Sequence, residues 1–180
     1  MFAGCSDETR EGFADPAAFP EVAACAGAWS IRGLETADAC NRAAGNTGER
    51  LLGMGCAAND LCATGWHVCR SRLDLLAHLP QGATCANAMV GENALFATAQ
   101  SGPGGGNCGV GNNDFFGCGT YGRVALAVCA PFDRNSDNMC FMLGTIGGWD
   151  CPDPDSEVTT VSKSDPTAGG GVLCCQDDAS

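Results

Sequence analysis

Fourteen cysteines stand in a chain of 180 residues. They are Cys5, Cys25, Cys40, Cys56, Cys62, Cys69, Cys85, Cys108, Cys118, Cys129, Cys140, Cys151, Cys174 and Cys175. A chain this long buries a core without cross-links, so cysteine use on this scale points to an oxidising compartment and a disulfide framework. The even count permits complete pairing, with on the order of 10^5 possible connectivities, so spacing alone does not fix the pattern. Zinc and redox sites leave C-x-x-C spacings or cysteine pairs followed by spaced histidines. This chain has neither, and its only histidines are His67 and His78.

Hydrophobic residues make up 45% of the chain, enough for a core, while 26 glycines and 8 prolines predict abundant turn and loop. The formal charge of -12, with Lys163 as the single lysine, excludes nucleic acid and anionic membrane as partners, because both need clustered cations. No apolar run is long enough to span a bilayer, so membrane insertion is not expected. The opening stretch lacks the apolar core of a signal peptide, so Met1 reads as an added start on a secreted or cell-surface domain.

A single domain over 1–180 is expected, in four zones. Residues 1–35 read as a strand-and-turn extension closed by a local Cys5–Cys25 bridge, and residues 36–79 as a two-helix region. Residues 80–157 read as a long loop region with short strands, and residues 158–175 as a pair of closing strands. Thr36 is an acceptable N-cap for a first helix carrying Cys40 and stopping at Gly45. Ser71 followed by Asp74 resembles a capping box for a second helix, with Leu73, Leu76 and Leu79 as its apolar face and Pro80 as its stop. His78 falls in the last turn of that helix, where it reads as an exposed end residue.

The segment from Gly65 to Ser71 with the helix after it resembles part of the C-type lectin-like domain. The cysteine-bearing first helix before it, Trp149-Asp150-Cys151, and the ending Gly171 to Cys175 are similar to the family in the same order. The resemblance implies an α+β fold: two helices packed on a small, mostly antiparallel sheet with long disulfide-pinned loops. It also implies a bridge from the first helix to the last strand, which would place Cys40 and Cys69 in the core near Cys174 and Cys175. Adjacent cysteines rarely bridge each other, so that terminal pair is expected to clamp two different elements. The tripeptides with which the family's sugar-binding members hold calcium are absent here.

Candidate chemistry lies in the long loop region. Asp133, Asn135 and Asp137 place oxygens at alternate positions, the spacing of a loop that wraps calcium. Asn138 and Gly144 stand where an EF-hand needs glycine and a bidentate glutamate, and a turn held by Asx hydrogen bonds explains the same residues. Asn112, Asn113 and Asp114 form a second candidate, with the same alternative. The glycine-dense stretch 101–122 lacks the lysine and strand-to-helix setting of a phosphate loop and presents Phe115, Phe116 and Tyr121 either as a contact surface or as plugs of the core. No nucleophile arrangement is evident, so an enzyme is not expected. The sequence reads as a secreted binding or adhesion domain for a carbohydrate or protein ligand, with possible calcium. The alternative is a cross-linked structural subunit that partners copies of itself.

Overall fold

The computed structural model describes residues 4–46, 50–102, 108, 113–136 and 146–179. Its architecture is α+β. Among the described residues nine strands run in chain order: β1 (Val22–Ala26), β2 (Trp66–Val68), β3 (Leu95–Gly102), β4 (Asp114–Gly119), β5 (Arg123–Val124), β6 (Arg134–Asn135), β7 (Trp149–Asp150), β8 (Ser162–Lys163) and β9 (Gly170–Gln176). Helices α1 (Arg72–His78) and α2 (Glu157–Thr160) accompany them. Seven strands form one sheet in the order β1-β9-β3-β4-β6-β5, with β2 also pairing β9, and β7 pairs β8 separately. The pairings are antiparallel except β3 with β9.

The central strand β9 explains the terminal cysteine pair. Successive side chains on a strand point to opposite faces. Val172 and Cys174 therefore enter one apolar cluster, with Trp29, Trp66, Phe115 and Trp149, while Leu173 and Cys175 enter the other, with Phe96, Phe116 and Phe132. Cys174 bridges Cys62 on the first face and Cys175 bridges Cys69 on the second. The two adjacent cysteines thus clamp two elements to one strand, as expected. The local Cys5–Cys25 bridge is also made. Further bridges join Cys40 to Cys56, Cys85 to Cys118 and Cys108 to Cys129, and Cys151 is bonded as well. Cys140 lies outside the described residues.

Several expectations are corrected. The helix from Thr36 to Ala44 does not form, and Cys40 bridges Cys56 rather than the last strand. Asn41 and Arg42 adopt positive φ of 57° and 58°, which breaks a helix, and the buried carboxylate of Asp60 collects the backbone N–H groups around them. Oδ2 of Asp60 accepts from Ala39 N at 2.8 Å and from Ala57 N at 2.8 Å, and Oδ1 accepts from Cys40 N at 3.1 Å and Arg42 N at 2.9 Å. One acidic side chain replaces the hydrogen bonding that a helix would have supplied.

Helix α1 does start at Ser71, whose hydroxyl accepts from Asp74 N at 3.0 Å. Its buried face is Leu75 and Leu79, not Leu73 and Leu76, which are 70% and 40% exposed. The zone 80–157 holds the long central strands β3 and β4 rather than short ones. Glycine there permits close approach: a Cβ on Gly117 would lie 1.9 Å from the Phe96 carbonyl oxygen of the neighbouring strand. The two strands of the last zone do not pair with each other, since β8 pairs β7 and β9 joins the large sheet.

The cations of this acidic chain are largely structural. Nη1 of Arg42 donates to the carbonyls of Asn59, Cys62 and Trp66 at 2.8–2.9 Å, and Nη1 of Arg10 to those of Phe13, Phe19 and Val22. Arg50 and Arg134 each donate to a nearby carbonyl, Arg72 donates to Ala130 O, and Arg32 joins Thr160 O to Asp150. Lys163 is buried and donates to the carbonyls of Gly27 and Asp165. Burial lowers its pKa to about 8, against the opposing pull of Asp165. Several of the positive groups are thus taken up in satisfying loop carbonyls.

Candidate functional site

Strand β2 runs into the bridge at Cys69 and then into α1, so the chain turns sharply at Arg70. A cleft of about 330 Å³ opens beside this turn. Its floor is apolar, formed by the buried Leu34, Val68 and Ala99. Its rim is polar, with Glu35 on another loop and Arg70 in the link between β2 and α1. Leu34 N donates to Val158 O at 2.9 Å and Gly33 N to Val161 O at 2.8 Å, so the loop bearing Glu35 is tied to α2. Asn59, whose Oδ1 accepts from Val68 N at 3.0 Å, fixes the floor from below. The volume lies at the lower end of the range for small-molecule sites.

His67 closes one end of the cleft and is held on both ring nitrogens. Nδ1 lies 2.5 Å from Oδ1 of Asp177 and Nε2 lies 3.0 Å from Oδ2 of Asp74. Two carboxylate partners require both nitrogens to carry protons, and the hydrogen bond to Asp74 leads in raising the His67 pKa, against the cost of burial. Burial pushes the Asp74 carboxyl up, but hydrogen bonds from His67 and Arg70 N outweigh it and hold the group below its usual range. His78 completes the cluster, with Nδ1 at 2.7 Å from Asp74 O. His67 is therefore a latch between α1 and the end of β9, with no nitrogen left for base catalysis.

This latch has a defined pH window. A raised histidine pKa stabilises the fold fully below the ordinary value of 6.5, and the contribution is lost as pH rises through the higher folded-state value. The lowered Asp74 pKa acts at the other end, its contribution being lost as pH falls below the ordinary 3.8 toward the folded-state value. His67→Gln is expected to lower stability by about 2 kcal/mol in mildly acid solution, the scale of hydrogen bonds to charged groups. Thermal melting across pH checks this: the gap between wild type and variant should narrow on the alkaline side, and a gap independent of pH refutes the latch.

The residues singled out from the sequence are placed as follows. Phe115 and Phe116 are fully buried, stacking on Trp149 and Phe132 with ring centroids 5.8 Å and 5.9 Å apart, so they plug the core and offer no contact surface. Asp114 is buried beside them, Asn113 donates from Nδ2 to Pro154 O, and Tyr121 packs partly buried against the first cluster. Strand pairing sets Phe116 opposite Asn135, which brings the Asp114 and Asn135 candidates onto neighbouring strands. Oδ1 of Asp133 is taken by Gly119 N, and burial raises the pKa of this carboxyl. Asn135 is buried, and its side-chain amide meets no hydrogen-bond partner among the described residues. Asn112 and Asp137 lie outside them.

Two further groups have metal-like spacing: Cys40, Cys56 and Asp60, and Asp74, His78 and Cys175. The sulfurs of both belong to disulfides and lack the thiolate that binds metal, while Asp60 is saturated by backbone donors. The cleft itself escapes sequence reasoning, since Glu35 and Arg70 stand far apart along the chain and nothing in the segment from Gly65 to Ser71 marks Arg70 as a contact residue. No family model and no solved structure matches the chain.

Proposed function

We propose that this chain is an extracellular binding domain that recognises a carbohydrate or protein ligand, and that the cleft between Glu35 and Arg70 is its recognition site. The observation that carries the reading is an open polar-rimmed, apolar-floored cleft on a scaffold whose walls are cross-linked, so little entropy is lost when a ligand is held. Binding rather than catalysis is supported by the engagement of His67 with two carboxylates. The likeness to C-type lectin-like domains rests on the segment from Gly65 through α1 and on the bridged closing strand, and it favours the same class of function. The disulfides fit an oxidising compartment, and no helix among the described residues is long and apolar enough to cross a membrane.

Amide NMR of the oxidised protein with a panel of neutral monosaccharides and short peptides tests the proposal. Shifts clustered on Leu34, Val68 and Ala99 are expected, and a panel that leaves those amides unmoved refutes it. A second reading, a structural subunit assembled from copies of this chain, draws on the exposed Leu73, Leu76, Leu126 and Val128, carried by two segments that Arg72 joins through Ala130 O. The described cysteines are all paired within the chain, so such assembly would be non-covalent. Sedimentation showing concentration-dependent oligomers would favour it, and a monomer at all concentrations would exclude it.

A further inference from the structure

Resting on the cleft as the recognition site, we propose that its ligand is a zwitterion with an apolar span: a carboxylate held by Arg70, an ammonium held by Glu35, and a hydrocarbon or apolar peptide segment lying on Leu34, Val68 and Ala99. Among the described residues Arg70 is the only cation whose side chain meets no partner. Arg10, Arg42, Arg50, Arg72, Arg134 and Lys163 cap carbonyls, Arg32 pairs with Asp150, and Arg123 is also engaged. A chain that uses its positive groups so consistently to satisfy backbone oxygens leaves one guanidinium uncommitted, and it is on the rim of this cleft. The guanidinium fork matches a carboxylate in two hydrogen bonds.

Glu35 is the complement. It is exposed on its own loop, makes no hydrogen bond or ion pair among the described residues, and does not pair with Arg70. The two opposite charges line the same apolar-floored cleft without neutralising each other, and a ligand bearing one charge at each end neutralises both. Net charge decides between acidic ligands. A polyanion such as a chain of sugar acids is repelled by a protein of charge -12, whereas a zwitterion carries no net charge and meets no such barrier. His67 contributes position and no contact charge, because Asp74 and Asp177 already neutralise it.

The probes are 6-aminohexanoate and the dipeptide leucyl-leucine, with hexanoate and hexylamine as half-charged controls and glucose as a neutral one. Titrations are followed by amide NMR of the oxidised wild type and of Arg70→Gln and Glu35→Gln, both surface changes that leave the core intact. A zwitterion is expected to shift the amides of Leu34, Val68 and Ala99, and each half-charged control is expected to bind roughly tenfold more weakly. Arg70→Gln should erase the advantage over hexylamine, and Glu35→Gln the advantage over hexanoate. The two zwitterions separate a simple amino acid chain from a peptide as the better source of the charges. Hexanoate or hexylamine binding as tightly as the zwitterions overturns the inference. So does a cleft that responds to glucose and to neither zwitterion, an outcome that spares the binding site itself. A cleft that responds to no probe overturns the site along with the ligand class.

Discussion

Replacing Asp60 with alanine is expected to lower the free energy of unfolding by about 4 kcal/mol or more, since each buried donor left unsatisfied costs about 1–3 kcal/mol. Its carboxylate is wholly buried and receives four backbone N–H groups, from Ala39, Cys40, Arg42 and Ala57. Ala39, Cys40 and Arg42 belong to a segment without regular structure and Ala57 caps the short 3-10 turn that carries Asp60, so no carbonyl ladder stands ready to accept these donors. Asp60→Asn keeps the shape but has one acceptor oxygen where the carboxylate has two, and its amide nitrogen would face two donors. It should therefore cost more than half as much as alanine. Denaturant unfolding of the oxidised proteins measures both. A loss below about 1 kcal/mol for alanine would mean that water or a neighbouring carbonyl takes over the donors, and would refute the organising role of Asp60.

The second large effect concerns the bridges on β9. Cys62–Cys174 and Cys69–Cys175 span 112 and 106 residues when counted along the chain, yet each is short in the presence of the other. With one bridge intact, the other closes a ring of only about ten residues, so removing a single bridge by paired alanine substitution should cost about 2.5–3 kcal/mol in the chain-entropy model. Removing both opens the full loop and should cost about 7 kcal/mol, more than twice the single loss. The excess of about 2 kcal/mol is a coupling free energy that a double-cycle comparison reads directly. Strict additivity would show that the unfolded chain is already held compact by other means, and would refute the redundancy of the pair.

Features that depend on near neighbours were legible in the sequence. Ser71 and Asp74 mark the start of α1 within one turn, Cys5 and Cys25 bridge locally, and the adjacency of Cys174 and Cys175 forces their bridges to opposite faces of β9. Features that depend on distant capture were not. Residues 36–44 have a fair helical pattern, but Asp60 withdraws their donors and Cys56 withdraws Cys40, and nothing within the segment signals either partner. Strand β4 was hidden by its composition, because Gly117 and Gly119 read as loop although they are the residues that admit β3 at close range. Phe115 and Phe116, adjacent on a strand buried on both faces, show no alternation of polar and apolar positions that would have announced it. The cleft was the least legible of all, since Glu35 and Arg70 come to line it only after α2 and β2 have been placed.

The inward-turned cations bear on survival among extracellular proteases. A trypsin-like enzyme must draw an extended segment and a basic side chain into its own pocket, and Arg10, Arg42 and Lys163 are lashed to carbonyls inside the fold. Exposed Arg32, Arg50, Arg70 and Arg123 remain as points of attack. A cut after Arg50 falls within the Cys40–Cys56 ring, one after Arg70 within both long rings, and one after Arg123 within the Cys108–Cys129 ring. Each of these three nicks would leave both ends covalently attached until the disulfides are reduced, whereas a cut after Arg32, between the Cys5–Cys25 and Cys40–Cys56 rings, would leave residues 1–32 held by non-covalent contacts alone.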